Sequence, residues 1–247
     1  METQSSGTLY LVATPIGNLE DITYRAVRIL KEADAVAAED TRQTRKLLDR
    51  YDIHPPKLFA CHDHNERASA HGIVGMLKTG ANVALVSDAG MPVINDPGFR
   101  VVEAAMAAGC TIRVIPGASA TLTALVLSNF PPHEFAFMGF PPRKEGKRRN
   151  WLERLKELRM TVVLMEAPHR LPAFLADAHE VLGDIRGAVA LELTKKFEET
   201  TAAPLGELVT TFAEPPRGEV MVVLDCASLP KPKKYPSRYA ESWNPSS

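Results

Sequence analysis

The sequence predicts an α/β fold made of two α/β domains, with a parallel-sheet N-terminal domain, a mixed-sheet C-terminal domain and a ligand cleft between them. Three observations carry that reading. In the first half, short apolar runs alternate with helical stretches, the order that crossover helices impose on a parallel sheet. Most of those runs break directly into polar loops, some richer in Gly, Pro and Asp than a strand-to-helix turn requires. The second half keeps the alternation, but some of its strands lie close enough in sequence for antiparallel pairing.

A polar lead-in over 1–7 precedes a strand at 8–13, which ends in Thr14-Pro15-Ile16-Gly17-Asn18. Asp21 is placed as the N-cap of a helix with Ala26, Val27, Ile29 and Leu30 as its apolar face. A strand at 35–38 leads at once into Glu39-Asp40-Thr41-Arg42, and a helix covers 44–51. A short strand at 58–60 runs into Cys61-His62-Asp63-His64-Asn65-Glu66, followed by a helix over 68–78. Val83-Ala84-Leu85-Val86 reads as a buried strand. The loop after it packs Asp88, Gly90, Pro92, Asp96, Pro97 and Gly98 together, and a helix over 98–108 and a strand over 111–115 follow. The N-terminal domain is drawn as 8–117 and the C-terminal one as 118–229.

The second domain opens with a helix over 120–127 and a strand over 135–140. A basic loop over 141–150 precedes a helix at 151–158 whose face is Trp151, Leu152, Leu155 and Leu158. A strand at 161–165 enters Glu166-Ala167-Pro168-His169-Arg170, and the helix over 171–182 tolerates Pro172 in its first turn. A strand at 188–193, a short strand at 200–204, a helix at 205–212 and a strand at 220–224 complete it. Residues 230–247, rich in Pro, Lys and Ser, read as disordered.

Composition narrows the function. The chain of 247 residues is 45% hydrophobic and 24% charged, ordinary for a globular protein. A formal net charge of -1 excludes a protein basic all over and leaves room for a local basic face. Cys61, Cys110 and Cys226 are too scattered for a disulfide framework, which suggests a reducing compartment. The N-terminus lacks a secretory pattern and no apolar run reaches membrane-span length, so a cytoplasmic enzyme is expected.

Loops that follow parallel strands converge on one sheet edge, where such folds bind ligands. The 87–98 loop is the expected floor, since glycines let a ligand approach the backbone and carboxylates accept hydrogen bonds from hydroxyls or amines. Dinucleotide, P-loop and serine-elbow motifs are absent. Cys61, His62 and His64, with His54 and His71 nearby, fit no standard zinc spacing; no metal is expected, and His62, His64, Asn65 and Glu66 read as a polar rim. Asp40 is either aimed into the cleft or paired with Arg42. The cations Arg143, Lys144, Lys147, Arg148 and Arg149 form either a solvated surface or a contact for a phosphate backbone.

The segments ATPIGNLEDIT (13–23), AAEDTR (37–42), HDHNE (62–66), LVSDAGMPVINDPG (85–98), IPGASA (115–120), EAPHR (166–170), LTKKFEE (193–199) and GE (218–219) resemble the tetrapyrrole methylase superfamily. Within it they are similar to the ribosomal small-subunit RNA methyltransferase I branch. The resemblance covers about 8–226. It implies a homodimeric methyltransferase that uses S-adenosylmethionine (AdoMet), folded into the cleft, to methylate the 2′-hydroxyl of a cytidine in the decoding region of 16S rRNA, free or in the 30S subunit. By position, the cofactor wall comprises Pro15, Asp88, Gly90, Met91, Ile94, Asp96, Ala118, Ser119, Met165, Leu193 and Glu219. Met91 stands where many relatives have Thr, and Met165 where Tyr is usual. Longer relatives carry a C-terminal helical extension for which no room is expected here.

For a ribose hydroxyl as nucleophile, Asp40, Glu166 and His62 are the candidate proton acceptors, and Lys195 the group for developing negative charge or phosphate. Arg42 joins Arg143, Lys144, Lys147, Arg148 and Arg149 as RNA contacts. Two rivals stay open: a C- or N-methyltransferase of a small tetrapyrrole, and a non-catalytic RNA-binding or AdoMet-sensing module.

Overall fold

The computed structural model describes residues 6–230. Most of the lead-in expected at 1–7 and all but the first residue of the tail expected at 230–247 lie outside them. The first sheet is five-stranded, with β1 (Thr8–Val12), β2 (Ala35–Ala38), β3 (Leu58–Ala60), β4 (Val83–Val86) and β5 (Thr111–Ile115) in the order β3-β2-β4-β1-β5. Every pairing is parallel. β2 and β4 are buried at every residue, which is why they read as unbroken apolar runs.

Helices cover both faces. α3 (Glu66–Lys78) and α4 (Phe99–Ala107) pack Ile73, Leu77 and Val101 against Leu9, Leu11 and Leu85. On the other face α1 (Tyr24–Glu32) and α2 (Thr41–Arg50) bury Ala26, Leu30 and Leu48 against Val12, Val36 and Val86. The chain leaves β1 in one direction to reach β2 and leaves β4 in the other to reach β5. The order therefore reverses between β1 and β4, the switch point where such sheets bind ligands beyond their carboxyl ends.

The second sheet is also five-stranded, in the order β6-β7-β10-β8-β9, where β6 is Phe135–Phe137, β7 Thr161–Glu166, β8 Arg186–Leu191, β9 Glu199–Pro204 and β10 Val220–Asp225. β6 and β7 run parallel and the other pairs antiparallel. α6 (Glu145–Leu158), α7 (Leu171–Leu182) and α8 (Leu205–Thr211) cover one face with Leu152, Phe174 and Leu208. α5 (Ala120–Ser128) covers the other, setting Ala124 and Leu125 on Val163, Ala188 and Val223, and Ile16 from the β1 loop joins this cluster.

Three local expectations shift. Asp21 does not cap α1: Asn18 caps a single 3-10 turn at Leu19–Asp21, and the Thr23 hydroxyl accepts from the Ala26 N–H at 3.0 Å, so Thr23 is the cap. The strand expected over 135–140 stops at Phe137, before Gly139 takes a left-handed φ of 59°. Only 141–144 of the basic stretch is loop, because α6 already begins at Glu145 and takes in Lys147, Arg148 and Arg149.

The reason is a buried ion pair. Arg148 is 7% exposed, and its Nε donates to Asp177 Oδ2 of α7 at 2.6 Å. Arg149 pairs with Glu180 and, at 3.4 Å, with Asp177. Arg148 and Arg149 are thus consumed in docking α6 onto α7. Removing one partner of a desolvated pair strands the other charge in the interior. Arg148→Met is therefore expected to lower stability by about 3–5 kcal/mol in urea unfolding, and Arg148→Met with Asp177→Leu by clearly less.

Candidate active-site crevice

The crevice starts from a backbone exchange at the switch point. Thr14 N–H donates to Gly90 O at 2.8 Å and Gly90 N–H donates back to Thr14 O at 3.1 Å. The buried Thr14 hydroxyl donates to Ser87 O at 3.1 Å, fastening the β1 loop to the β4 loop. The β2 loop is tied in by a second exchange. The Asp40 N–H donates to Asp88 Oδ1 at 3.0 Å, and the Asp88 N–H to Glu39 Oε2 at 3.3 Å. Glu66, expected on the rim, instead accepts from the N–H groups of Gly98 and Arg100, both at 2.8 Å, and so closes the start of α4.

The second sheet supplies the opposite wall. The Asn18 N–H donates to Thr194 Oγ1 at 3.1 Å. At Gly17 a Cβ would lie 2.6 Å from Lys195 Cγ, so this approach needs glycine. Asn95 Nδ2 donates to Met165 Sδ at 3.7 Å, and its Oδ1 would be 2.8 Å from a Cβ at Gly139. Lys195 Nζ is held by Glu192 at 2.9 Å and Glu219 at 3.2 Å. Burial alone would lower its pKa, yet these carboxylates leave it raised.

The backbone is strained where the walls meet. Val93 (φ 78°), Asn95 (65°), Glu192 (47°) and Thr194 (66°) are left-handed without being glycine. For β-branched Val93 and Thr194 this is a genuine outlier, and such strain of about 1–3 kcal/mol per residue collects at ligand clamps.

Between the walls lie three adjoining compartments of roughly 390, 230 and 230 Å³, all lined by Ile16 and Glu219. The first is the most polar of the three, with Pro15, Asp88 and Lys195. The second is apolar, with Met165, Leu193 and Met221, and Glu166 at its edge. The third holds Asp88, Gly90, Met91, Ile94, Asp96, Ser119 and Met165. Of the expected cofactor wall only Ala118 stands back from these linings, with its carbonyl behind Gly90.

The carboxylates differ sharply. Asp96 is pushed up to about 6, first by burial and then by repulsion from Glu39, Asp88 and Asp63, against a hydrogen bond from Ser87. Burial also raises Glu39 and Asp88. Asp40 is held at about 2 by hydrogen bonds from the Arg42 side chain and backbone; it caps α2 and is outside the three linings. The Glu166 side chain is fully buried, 2.7 Å from Arg170 Nε, while Arg170 donates to Pro141 O at 2.9 Å. His62 is also off the linings, with its buried Nδ1 unpartnered and its ring edge-on to His64. Among the described residues no cluster of His, Cys, Asp or Glu is arranged to hold a metal.

Sequence reasoning missed three features. Glu39, neighbour of the chosen Asp40, is the member of that pair in the lining. Gln43 and Lys46 of α2 line the first compartment, and the signal for them was their place on the first turns of a helix after a strand-end loop. Phe140 bounds the second compartment.

Fold and crevice together define a two-domain α/β enzyme with its ligand site between the domains. Residues 8–209 match the family model described as Tetrapyrrole (Corrin/Porphyrin) Methylases. The chain is 47% identical over 220 residues to a ribosomal RNA small subunit methyltransferase I of Bacillus subtilis (strain 168), covering 89% of this chain and 75% of that one. It is 43% identical over 219 residues to the protein of the same name from Thermotoga maritima, covering 88% of this chain and 98% of that one. Among solved structures it resembles a uroporphyrin-III-C-methyltransferase from Thermus thermophilus (TM-score 0.61, 20% identity, 90% of this chain and 96% of that one). It also resembles a diphthine synthase (TM-score 0.68, 16% identity, 89% and 90%), a likeness of fold alone. The chain belongs to the tetrapyrrole methylase family, in its ribosomal RNA small subunit methyltransferase I branch, and is an AdoMet-dependent methyltransferase.

The clamp loops give a stability test. Gly98 has φ 124°, and a Cβ there would lie 2.8 Å from Leu85 Cδ2. Gly98→Ala is expected to cost about 1–3 kcal/mol in chemical denaturation, with AdoMet affinity falling in parallel as the 87–98 loop shifts.

Proposed function

We propose that the crevice holds AdoMet and that the enzyme methylates the ribose 2′-hydroxyl of a cytidine in the decoding region of 16S rRNA. What supports the cofactor site is that Pro15, Asp88, Gly90, Met91, Ile94, Asp96, Ser119, Met165, Leu193 and Glu219 surround one crevice, with Ala118 behind it. What supports the substrate is the name shared by relatives of 43–47% identity over about nine-tenths of the chain. The donors fit the cofactor. Carboxylates of Asp88 and Glu219 suit its ammonium and hydroxyls, and the wall of Met165, Leu193 and Met221 suits an adenine. When bound, AdoMet supplies an electrophilic methyl group on a sulfonium.

The residues of the chain position the hydroxyl and take its proton. An effective acceptor has a pKa near the working pH. Asp40, tied to Arg42, is too weak a base, Glu166 is sealed against Arg170, and His62 stands off the lining. Asp96 lines the third compartment with its pKa lifted to about 6, and we assign it the acceptor role in addition to its place in the wall. Lys195, braced by two carboxylates, presents a fixed cation at the polar end for the substrate phosphate. Arg42, Arg143, Lys144 and Lys147 extend the RNA-facing charge, while buried Arg148 and paired Arg149 keep to α7. We place the domain division at 117/118, propose a homodimer on the family resemblance, and propose a cytoplasmic setting on the scattered cysteines. Among the described residues no helix is long and apolar enough to cross a membrane.

Labelled AdoMet offered with naked 16S rRNA, 30S subunits or a tetrapyrrole is expected to label RNA alone. Label in the tetrapyrrole would support the small-molecule rival, and AdoMet binding without any product the non-catalytic one. Asp96→Asn is expected to lower kcat by roughly 100-fold or more, a loss that persists at saturating AdoMet, and the wild-type rate to rise with pH through about 6. The sign for stability is opposite. A carboxyl whose folded pKa is raised penalises the fold above about pH 6, and the penalty fades as pH falls through 6 towards 3.8. Asp96→Asn should therefore melt higher than wild type at pH 8, with the gap closing near pH 4.

A further inference from the structure

We infer that the outer face of α2 is a docking surface for the sugar-phosphate backbone of the substrate RNA, running outward from the lip of the crevice; this rests on RNA being the substrate. Arg42, Arg45 and Lys46 fall at i, i+3 and i+4 on one side of the helix, and Arg50 lies one turn beyond Lys46. All four are exposed, while Thr44, Leu47 and Leu48 face the core. Among the described residues no carboxylate lies within ion-pair distance of Arg45, Lys46 or Arg50. Arg42 is paired with Asp40, and its side chain is still 88% exposed.

The placement separates this face from an ordinary solvated one. Lys46 lines the polar compartment beside Asp88 and Lys195, and it also lines a shallow depression with Arg42, Arg45 and Asp49. Crevice and depression thus meet at one lysine. The four cations span about 12 Å of helix, the rise of the eight residues from Arg42 to Arg50, with Lys46 midway. A strand with one nucleotide in the crevice has to carry its neighbouring phosphates across the lip, and the unpaired cations lie there. On α6, by contrast, Arg148 and Arg149 are spent on Asp177 and Glu180. The net charge of -1 means that the α2 cations are a local concentration rather than one patch of a generally basic surface. Phosphate contacts of this kind add affinity irrespective of sequence and weaken with salt.

The test is the affinity of the full chain for naked 16S rRNA over a salt series. Arg45→Glu with Arg50→Glu, both outside the crevice lining, should weaken binding at least tenfold. It should also flatten the plot of log affinity against log salt by about 1–2 units, the loss of two phosphate contacts. Asp49→Lys should tighten binding severalfold, a gain that misfolding cannot imitate. AdoMet affinity, measured by calorimetry, should stay within about twofold in both variants. Unchanged affinity and slope in both variants would overturn the inference, as would losses seen with 30S subunits but not with naked RNA, which would point to a ribosomal protein. If wild type bound neither naked 16S rRNA nor 30S subunits, the substrate reading would fall and this surface with it. If wild type binds and the variants match it, the surface alone falls.

Discussion

The pair of backbone hydrogen bonds between Thr14 and Gly90 fixes the point from which the rest of the crevice is laid out. It sits where the strand order reverses, so the β1 and β4 loops lie side by side there and diverge beyond it. With that point fixed, Asp88 can grip the backbone of Asp40 and Glu39 that of Asp88. The β2 loop and the start of α2 are then set beside the crevice. Main-chain N–H groups are the donors in all four of these bonds, and the Asp96 carboxylate lines the crevice beside them.

The second wall is held by closeness instead of by a large interface. Gly17 against Lys195, Gly139 against Asn95 and the Asn18–Thr194 bond bring the halves together at points where a Cβ or a shifted φ would separate them. Left-handed Val93, Asn95, Glu192 and Thr194 are the local cost of that approach, offset by the two packed cores behind them. Burial that raises Asp96 is the same bargain in electrostatic form: the environment that makes the carboxylate a usable base also disfavours its charge.

Much of this architecture was legible in the residues because it is periodic or local. Unbroken apolar runs such as Val83-Ala84-Leu85-Val86 mark fully buried parallel strands, and the Gly- and Pro-rich loops after strands mark the sheet edge that binds. What was not legible depends on partners far away in sequence. Nothing near Arg148 announces Asp177, 29 residues on, so a helix start looked like a basic loop. Glu66 looks like a rim residue until Gly98, 32 residues on, is seen beneath it. Asn18, Asp21 and Thr23 all suit an N-cap, and only the turn between them decides which residue caps α1. Asp40 and Asp96 are the same side chain in a string of letters; a neighbouring arginine in one case and burial among acids in the other set their pKa values apart.

Met165 carries a consequence of another kind. Its thioether forms part of the second and third compartments and accepts the Asn95 amide across the gap. Oxidation to a sulfoxide would put a bulkier, strongly polar oxygen at that junction and turn an apolar lining wet. A sulfoxide at Met165 would thus alter the crevice where the two compartments meet without touching the packed cores behind it, and a methionine sulfoxide reductase would reverse the change.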